Sequence, residues 1–316
     1  MKEVKYAHYR LDFLPAIAVF WNEEFRDRRN FFPITGSLFE RRVAGGETQR
    51  EHFSPDQLTL AYSQDKVVGM IHCLARSEDT CAQIFPDWRG GSQGVIAFFS
   101  VARDRRCEGI GAELFRRAAE SAAGRSQIVI DGQCLCPFYG NAAAPFTPFW
   151  GTPEGPSISD SDADTVRFLK SQGFEPRYTA VTMETRLAGP EDTGTTEKHL
   201  PDDCTIEVFK ERSTRGGGSS KYYRACCFRA GKTAGDLVFF EMSELAPGTG
   251  AVYNFEVAEA ERGKGIGTNI LKAALSEMKK MGWRTCEVLT IPYISPAGVA
   301  LYEKNNFRPV ARWLIY

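Results

Sequence analysis

The 316-residue chain has no apolar run approaching the ~20 residues that span a bilayer, so no membrane partner is expected. Its opening stretch, Met1-Lys-Glu-Val-Lys-Tyr6, lacks the apolar core of a secretory signal. Charge of one sign is missing too: the formal net charge is −1 and the pI near 6.5, which argues against nucleic acid as a partner. Histidine is scarce, with only His8, His52, His72 and His199, and none has a recognisable catalytic partner. Serine and cysteine nucleophile schemes have no support, since no histidine offers such a partner. The nine cysteines lack metal-type spacing; Cys134-Leu-Cys136 and Cys226-Cys227 are too close for zinc pairs. No metal is expected, and an odd count without a framework reads as reduced thiols in a cytoplasmic protein.

Against these absences stands a duplication. Val101-Ala-Arg-Asp-Arg-Arg106-Cys-Glu-Gly109-Ile110-Gly111-Ala112 recurs 156 residues later as Val257-Ala-Glu-Ala-Glu-Arg262-Gly263-Lys264-Gly265-Ile266-Gly267-Thr268. Each copy follows an apolar run (95–101; 251–257) and precedes a helical pattern. A strand, a turn with two close glycines and a helix gather backbone N–H groups at the positive end of a helix dipole, where phosphate binds. The Rossmann fingerprint is excluded, since its third glycine position holds Thr268. A Walker A loop is excluded as well, because 216–221 ends Ser-Ser-Lys and precedes a strand.

Periodicity places helices at 14–25, 36–42, 112–123 and 165–172, and strands at 58–62, 66–75, 95–101, 128–131 and 178–187. The second half repeats the order: strands at 205–209, 222–228, 236–242 and 251–257, a helix at 270–281, a strand at 285–289, a helix at 298–305 and a strand at 310–316. The expected division is a first unit over 1–187, a Gly/Pro/Glu/Asp/Thr-rich linker over 188–203 and a second unit over 204–316. An insertion at 132–162 carries Phe138, Tyr139, Phe146, Phe149 and Trp150 among five prolines, and a loop of that kind is usually functional. The second unit lacks the first unit's early helix pair. The acidic run Asp160-Ser-Asp162-Ala-Asp164 reads as a solvated approach to the helix at 165, with an aspartate as N-cap.

The Arg-x-x-Gly-x-Gly turn after a valine-ended strand resembles motif A of the GNAT superfamily of acyl-CoA-dependent N-acetyltransferases. Leu301-Tyr302-Glu-Lys304-Asn-Asn306-Phe307 resembles that family's later Leu-Tyr-x-Lys-x-Gly-Phe motif, with Asn306 where glycine is usual. Phe168-Leu169-Lys170-Ser-Gln-Gly173-Phe174 is the first unit's counterpart. The tandem order is also similar to that of mycothiol synthases, although no residue points to that thiol's precursor. The resemblance implies an α/β (α+β) fold of two GNAT-like domains, each a twisted, mixed, mainly antiparallel sheet flanked by helices. It further implies transfer of an acetyl group from acetyl-CoA to a primary amine, small-molecule or peptide, by direct attack.

Coenzyme A brings a pyrophosphate to the turns, so the expected cofactor-binding residues are Val101, Arg106, Gly109, Ile110, Gly111 and Ala112, with Val257, Arg262, Gly263, Lys264, Gly265, Ile266, Gly267 and Thr268. Family resemblance implies a splay after Val101 and Val257, and an amide N–H that polarises the thioester carbonyl. It makes Tyr302 the general acid toward the departing thiolate. Leu169 at the matching position has no proton to give, so catalysis is expected in the second unit. Glu256 is the candidate base, with Glu241 and Glu244 as alternatives; its counterpart, Ser100, cannot do that work. Two other readings stay open: an enzymatic first unit using Tyr139 or water as its acid, and a non-catalytic acyl-CoA sensor.

Overall fold

The computed structural model describes residues 3–27, 29, 31, 33–44, 53–84, 89–130, 158–187, 200–210, 222–242 and 246–316. Its strands are β1 (Lys5–His8), β2 (Leu58–Ser63), β3 (Lys66–Arg76), β4 (Gln93–Val101), β5 (Gln127–Ile130), β6 (Ile158–Ser159), β7 (Tyr178–Arg186), β8 (Cys204–Lys210), β9 (Tyr222–Arg229), β10 (Lys232–Glu241), β11 (Thr249–Val257), β12 (Thr285–Thr290) and β13 (Arg308–Ile315). Helices are α1 (Leu14–Phe25), α2 (Gly36–Phe39), α3 (Glu78–Ile84), α4 (Ile110–Ser121), α5 (Ala163–Ser171), α6 (Ile266–Lys280) and α7 (Pro296–Lys304). Most lie within a few residues of the sequence expectation. The short β1, β6 and α3 carry too few periodic residues to be read from sequence. Helix α6 opens four residues earlier than its periodicity suggests, because Gly265 caps it in the left-handed region (φ 84°).

Two mixed, mainly antiparallel sheets result, ordered β1-β2-β3-β4-β5 and β6-β13-β7-β12-β11-β10-β9-β8. Strand β7, expected to close the first unit, instead lies between β12 and β13 in the second sheet. In return, Tyr316, just beyond β13, exchanges two backbone hydrogen bonds with Ile130 of β5 (3.0 and 3.3 Å). The first half therefore sends its last strand, β7, into the second half's sheet, and the chain just beyond β13 reaches back to the end of β5. Of the expected insertion, 158–162 is ordered around β6, which pairs with β13; residues 132–157, the linker residues 188–199, and Glu244 lie outside the described residues.

The cores follow from the apolar stripes. Helix α6 turns Ile266, Ile270, Leu271, Ala274 and Met278 inward against Leu237, Phe239 and Val288, a 3.6-residue periodicity meeting a 2-residue one. On the first sheet α4 does the same with Ile110, Leu114 and Ala118. A third core joins Trp21 and Phe25 of α1 to Leu60, Met70 and Phe98 of the first sheet, and to Phe240, Ala251 and Leu289 of the second. The first unit's early helix thus belongs to the core that also covers the second sheet's far face. Arg29 ties the same interface, with ion pairs to Glu184 (2.6 Å) and to the buried Glu287.

Candidate active site

The duplicated turns have nearly the same backbone. Ala102 and Ala258 have φ/ψ of −49/133° and −50/136°; Arg106 and Arg262 have −68/155° and −64/150°. Gly109 and Gly265 follow at φ 82° and 84°, each capping a helix. The first intrahelical bonds run from Glu113 to Gly109 and from Asn269 to Gly265, both 3.1 Å. Amides 110–112 and 266–268 therefore precede any helical acceptor and point outward as anion donors. Residues 106–112 and 262–268 thus lie together at one helix start in each copy.

The strands leading into the turns are equally alike. Ala97 on β4 and Tyr253 on β11 are extra residues opposite β3 and β10, bulges at the same place in both copies. Among the described residues, parallel pairing joins β4 to β5 over 93–96 and β11 to β12 over 249–252. The splay therefore opens after Ile96 and Val252, not after Val101 and Val257 as expected. The bulge causes this: it turns each strand away from its parallel neighbour and leaves the following five residues without that ladder.

The two arginines differ sharply. Each donates from Nε to the carbonyl of its valine, Arg106 to Val101 (3.1 Å) and Arg262 to Val257 (3.0 Å). Arg106 also donates to Glu24 on α1 (2.5 Å), whose side chain is 4% exposed, and lies 3.8 and 3.9 Å from Asp162 and Asp164. Its charge is already met. Arg262 is exposed and has no ion pair among the described residues. Beside it, Lys264 pairs with Glu261 (3.0 Å), which also receives Arg229 (2.7 Å). The buried Glu24 is a residue the sequence reading missed; an acidic residue among the apolar positions of α1 was its only signal. Asp162 is the N-cap of α5, accepting from the Thr165 amide at 3.3 Å.

A cavity of about 510 Å³ lies at the first turn, between Phe99, Val101, Gly109 and Gly111 on one side and Thr165, Phe168 and Gln172 of α5 on the other. The second glycine of each pair has a packing role that differs between copies. A Cβ on Gly111 would meet Phe168 at 3.1 Å, whereas one on Gly267 would meet only ordinary contacts at 3.5–3.6 Å. Cys107, in the left-handed region at φ 65°, stands where the second copy has Gly263 at φ 80°. Asn306 (φ 66°) fills the left-handed position that Gly173 occupies after α5, which explains its departure from the glycine motif.

Tyr302 faces inward from α7, 6% exposed, with its ring 5.4 Å from Phe307 and 6.5 Å from Phe255 on β11. Leu169 is buried at the matching place on α5. Glu256 is exposed on β11, directly across from Asp236, whose carboxylate receives Arg224. In the first unit the equivalent face is filled: Trp21 stacks on Phe98 at 4.9 Å and Ser100 is buried. Glu241, the alternative base, accepts from the Gly248 amide (3.2 Å) at the far end of β10 and takes no part in this arrangement.

A bulged strand, a splay and a phosphate-type turn, present twice in one chain, define the class as a tandem acyltransferase fold. The chain belongs to the acetyltransferase (GNAT) family, whose model matches residues 18–133 and again 192–307. Among solved structures it is similar to the tandem GNAT protein from the clavulanic acid biosynthesis pathway (TM-score 0.63, 14% identity, 99% of this chain and 97% of that one). It is also similar to a GCN5-related N-acetyltransferase from Sphaerobacter thermophilus (TM-score 0.58, 15% identity, 99% and 94%). A fungal multi-domain GH3 β-N-acetylglucosaminidase with a GCN5-related glucosamine N-acetyltransferase region matches all of this chain over 38% of its own length (TM-score 0.65, 15% identity). No curated protein sequence matches the chain. Among the described residues no helix is long and apolar enough to cross a membrane.

Proposed function

We propose that the chain transfers an acetyl group from acetyl-CoA to a primary amine, with catalysis in the second unit. The observation that carries this is the contrast between the arginines: Arg262 is exposed and has no carboxylate partner among the described residues, while Arg106 is spent on Glu24. In this reading the amides of 266–268, with Arg262 and Lys264, hold the pyrophosphate, and Val257 and the open edge of β11 receive the pantetheine arm. Bound there, acetyl-CoA supplies the activated acyl group. Tyr302 donates its proton toward the sulfur, and Glu256 takes the proton that the amine gives up. The first unit walls the acceptor side through the core it shares with the second sheet. The first unit occupies 1–187 and the second 204–316, with β7 of the first lying in the second sheet.

A second reading, catalysis in the first unit, is favoured by the cavity at its turn. Calorimetric titration with acetyl-CoA, on the natural chain and on Arg262→Glu, separates the two. Loss of the second-unit site in Arg262→Glu is the expected result, whether or not a first-unit site remains. A titration that Arg262→Glu leaves unchanged would transfer the reaction to the first unit, and no binding to either protein would refute the acyltransferase reading.

A further inference from the structure

The residue just beyond β13 places a second tyrosine beside the first unit's splay. In the first unit β5 ends at Ile130, which pairs with Ile96 where the splay opens. Tyr316 sits directly opposite Ile130 on the next strand, joined by two backbone hydrogen bonds. In the second unit the same positions are Val252, Val288 and, opposite Val288 on β7, Met183. The helix and strand positions beside the splay therefore hold Leu169 and Tyr316 in the first unit, and Tyr302 and Met183 in the second. Each pair shares one core with its own cofactor strand: Leu169 and Tyr316 lie with Val101 and Phe99, Tyr302 and Met183 with Val257 and Phe255. Each splay has one phenol and one aliphatic side chain, in reversed places.

The Tyr316 hydroxyl is buried and without a hydrogen-bond partner among the described residues. A buried hydroxyl left unpaired costs free energy that a phenylalanine would avoid, so its retention asks for a partner in another state of the protein. Burial, with Glu175 nearby, raises this phenol above the usual tyrosine range, which keeps it protonated.

We propose that Tyr316, carried across by β13, is the proton donor of the first unit, replacing the one that Leu169 lacks. This rests on the acyltransferase reading and extends it to a second, complete site. As the amine nitrogen bonds to the acyl carbon, the carbon–sulfur bond breaks and its electron pair stays on sulfur. Sulfur takes the proton from Tyr316 Oη, and the phenolate recovers one from the proton the amine loses through solvent.

The test needs no acceptor. The full chain carrying Arg262→Glu is loaded with coenzyme A, and the bound thiol is titrated by its ultraviolet thiolate absorbance, with and without Tyr316→Phe. A hydrogen bond from Oη to the thiolate predicts that Tyr316→Phe lowers the thiolate fraction about tenfold at a given pH, a shift of about one pKa unit. Tyr293→Phe, at an exposed tyrosine, is expected to change nothing in the same background. Thermal unfolding gives the second readout: loss of an unpartnered hydroxyl leaves Tm unchanged or raised. An unchanged thiol titration in Tyr316→Phe, or a Tm lowered by several degrees, would overturn the inference. Failure of Arg262→Glu to bind coenzyme A, when the natural chain does, would also overturn it while sparing the second unit; failure of both would remove the acyltransferase reading itself.

Discussion

Replacing the two turn arginines by alanine should have unequal effects on folding. Arg106→Ala removes a guanidinium that is 22% exposed and hydrogen-bonded to Glu24, itself 4% exposed. Breaking a buried ion pair from one side costs 3–5 kcal/mol, because the remaining charge stays in a poorly solvated place. Partial exposure of Arg106 puts the estimate at the lower end, about 3 kcal/mol. For a chain of this size that corresponds to a Tm lowered by about 4–5 °C. Arg262→Ala removes an exposed side chain with one described hydrogen bond, to the Val257 carbonyl. The cost should be about 0.5 kcal/mol. Urea unfolding at neutral pH without ligand measures both, provided that the slopes stay equal. Acetyl-CoA titration of the same proteins supplies the opposite ranking, with Arg262→Ala the more damaging for the second site. Equal destabilisation by the two substitutions would refute the claim that the first arginine is structural and the second free for a ligand.

The glycine pairs give a parallel contrast. Gly111→Ala forces a Cβ against Phe168 at 3.1 Å and should destabilise by ~1–3 kcal/mol, whereas Gly267→Ala meets only ordinary contacts and should be neutral or stabilising by up to ~1 kcal/mol, both read by denaturant unfolding. His72 is fully buried, and desolvation lowers its pKa to about 3. The unfolded chain binds a proton near pH 6.5 that the folded chain refuses, so stability should fall as pH drops from about 6.5 toward 3, by up to ~1.4 kcal/mol per unit. His72→Gln should flatten that slope, and a slope that persists would assign it to other groups. Cys107→Gly relieves a left-handed backbone at an exposed turn and should stabilise by ~0.5–1 kcal/mol in thermal unfolding.

Much of this protein was legible in its residue order because the features concerned are local. A strand, a glycine-punctuated turn and a helix are set by neighbours within about twelve residues, so the duplicated turns and most elements could be placed from pattern alone. The aspartate cap of α5 and the left-handed Asn306 belong to the same class, since both depend on one residue's own chemistry. The bulges that set where each splay opens were not legible: a bulge depends on register with a partner strand, and Ala97 and Tyr253 share no side-chain chemistry that marks them.

What only the tertiary structure decided is which residues meet across long separations. The two arginines occupy the same motif position, yet one is committed to Glu24, 82 residues earlier, and the other is not. The destination of β7 and the return of Tyr316 to Ile130 follow from sheet pairing between halves, where any extended apolar strand satisfies the local pattern equally well. The sequence by itself determined two copies of a phosphate-type turn on an α/β scaffold. Folding determined how those copies differ, because charge compensation and strand pairing are properties of contacts between distant segments, not of the segments themselves.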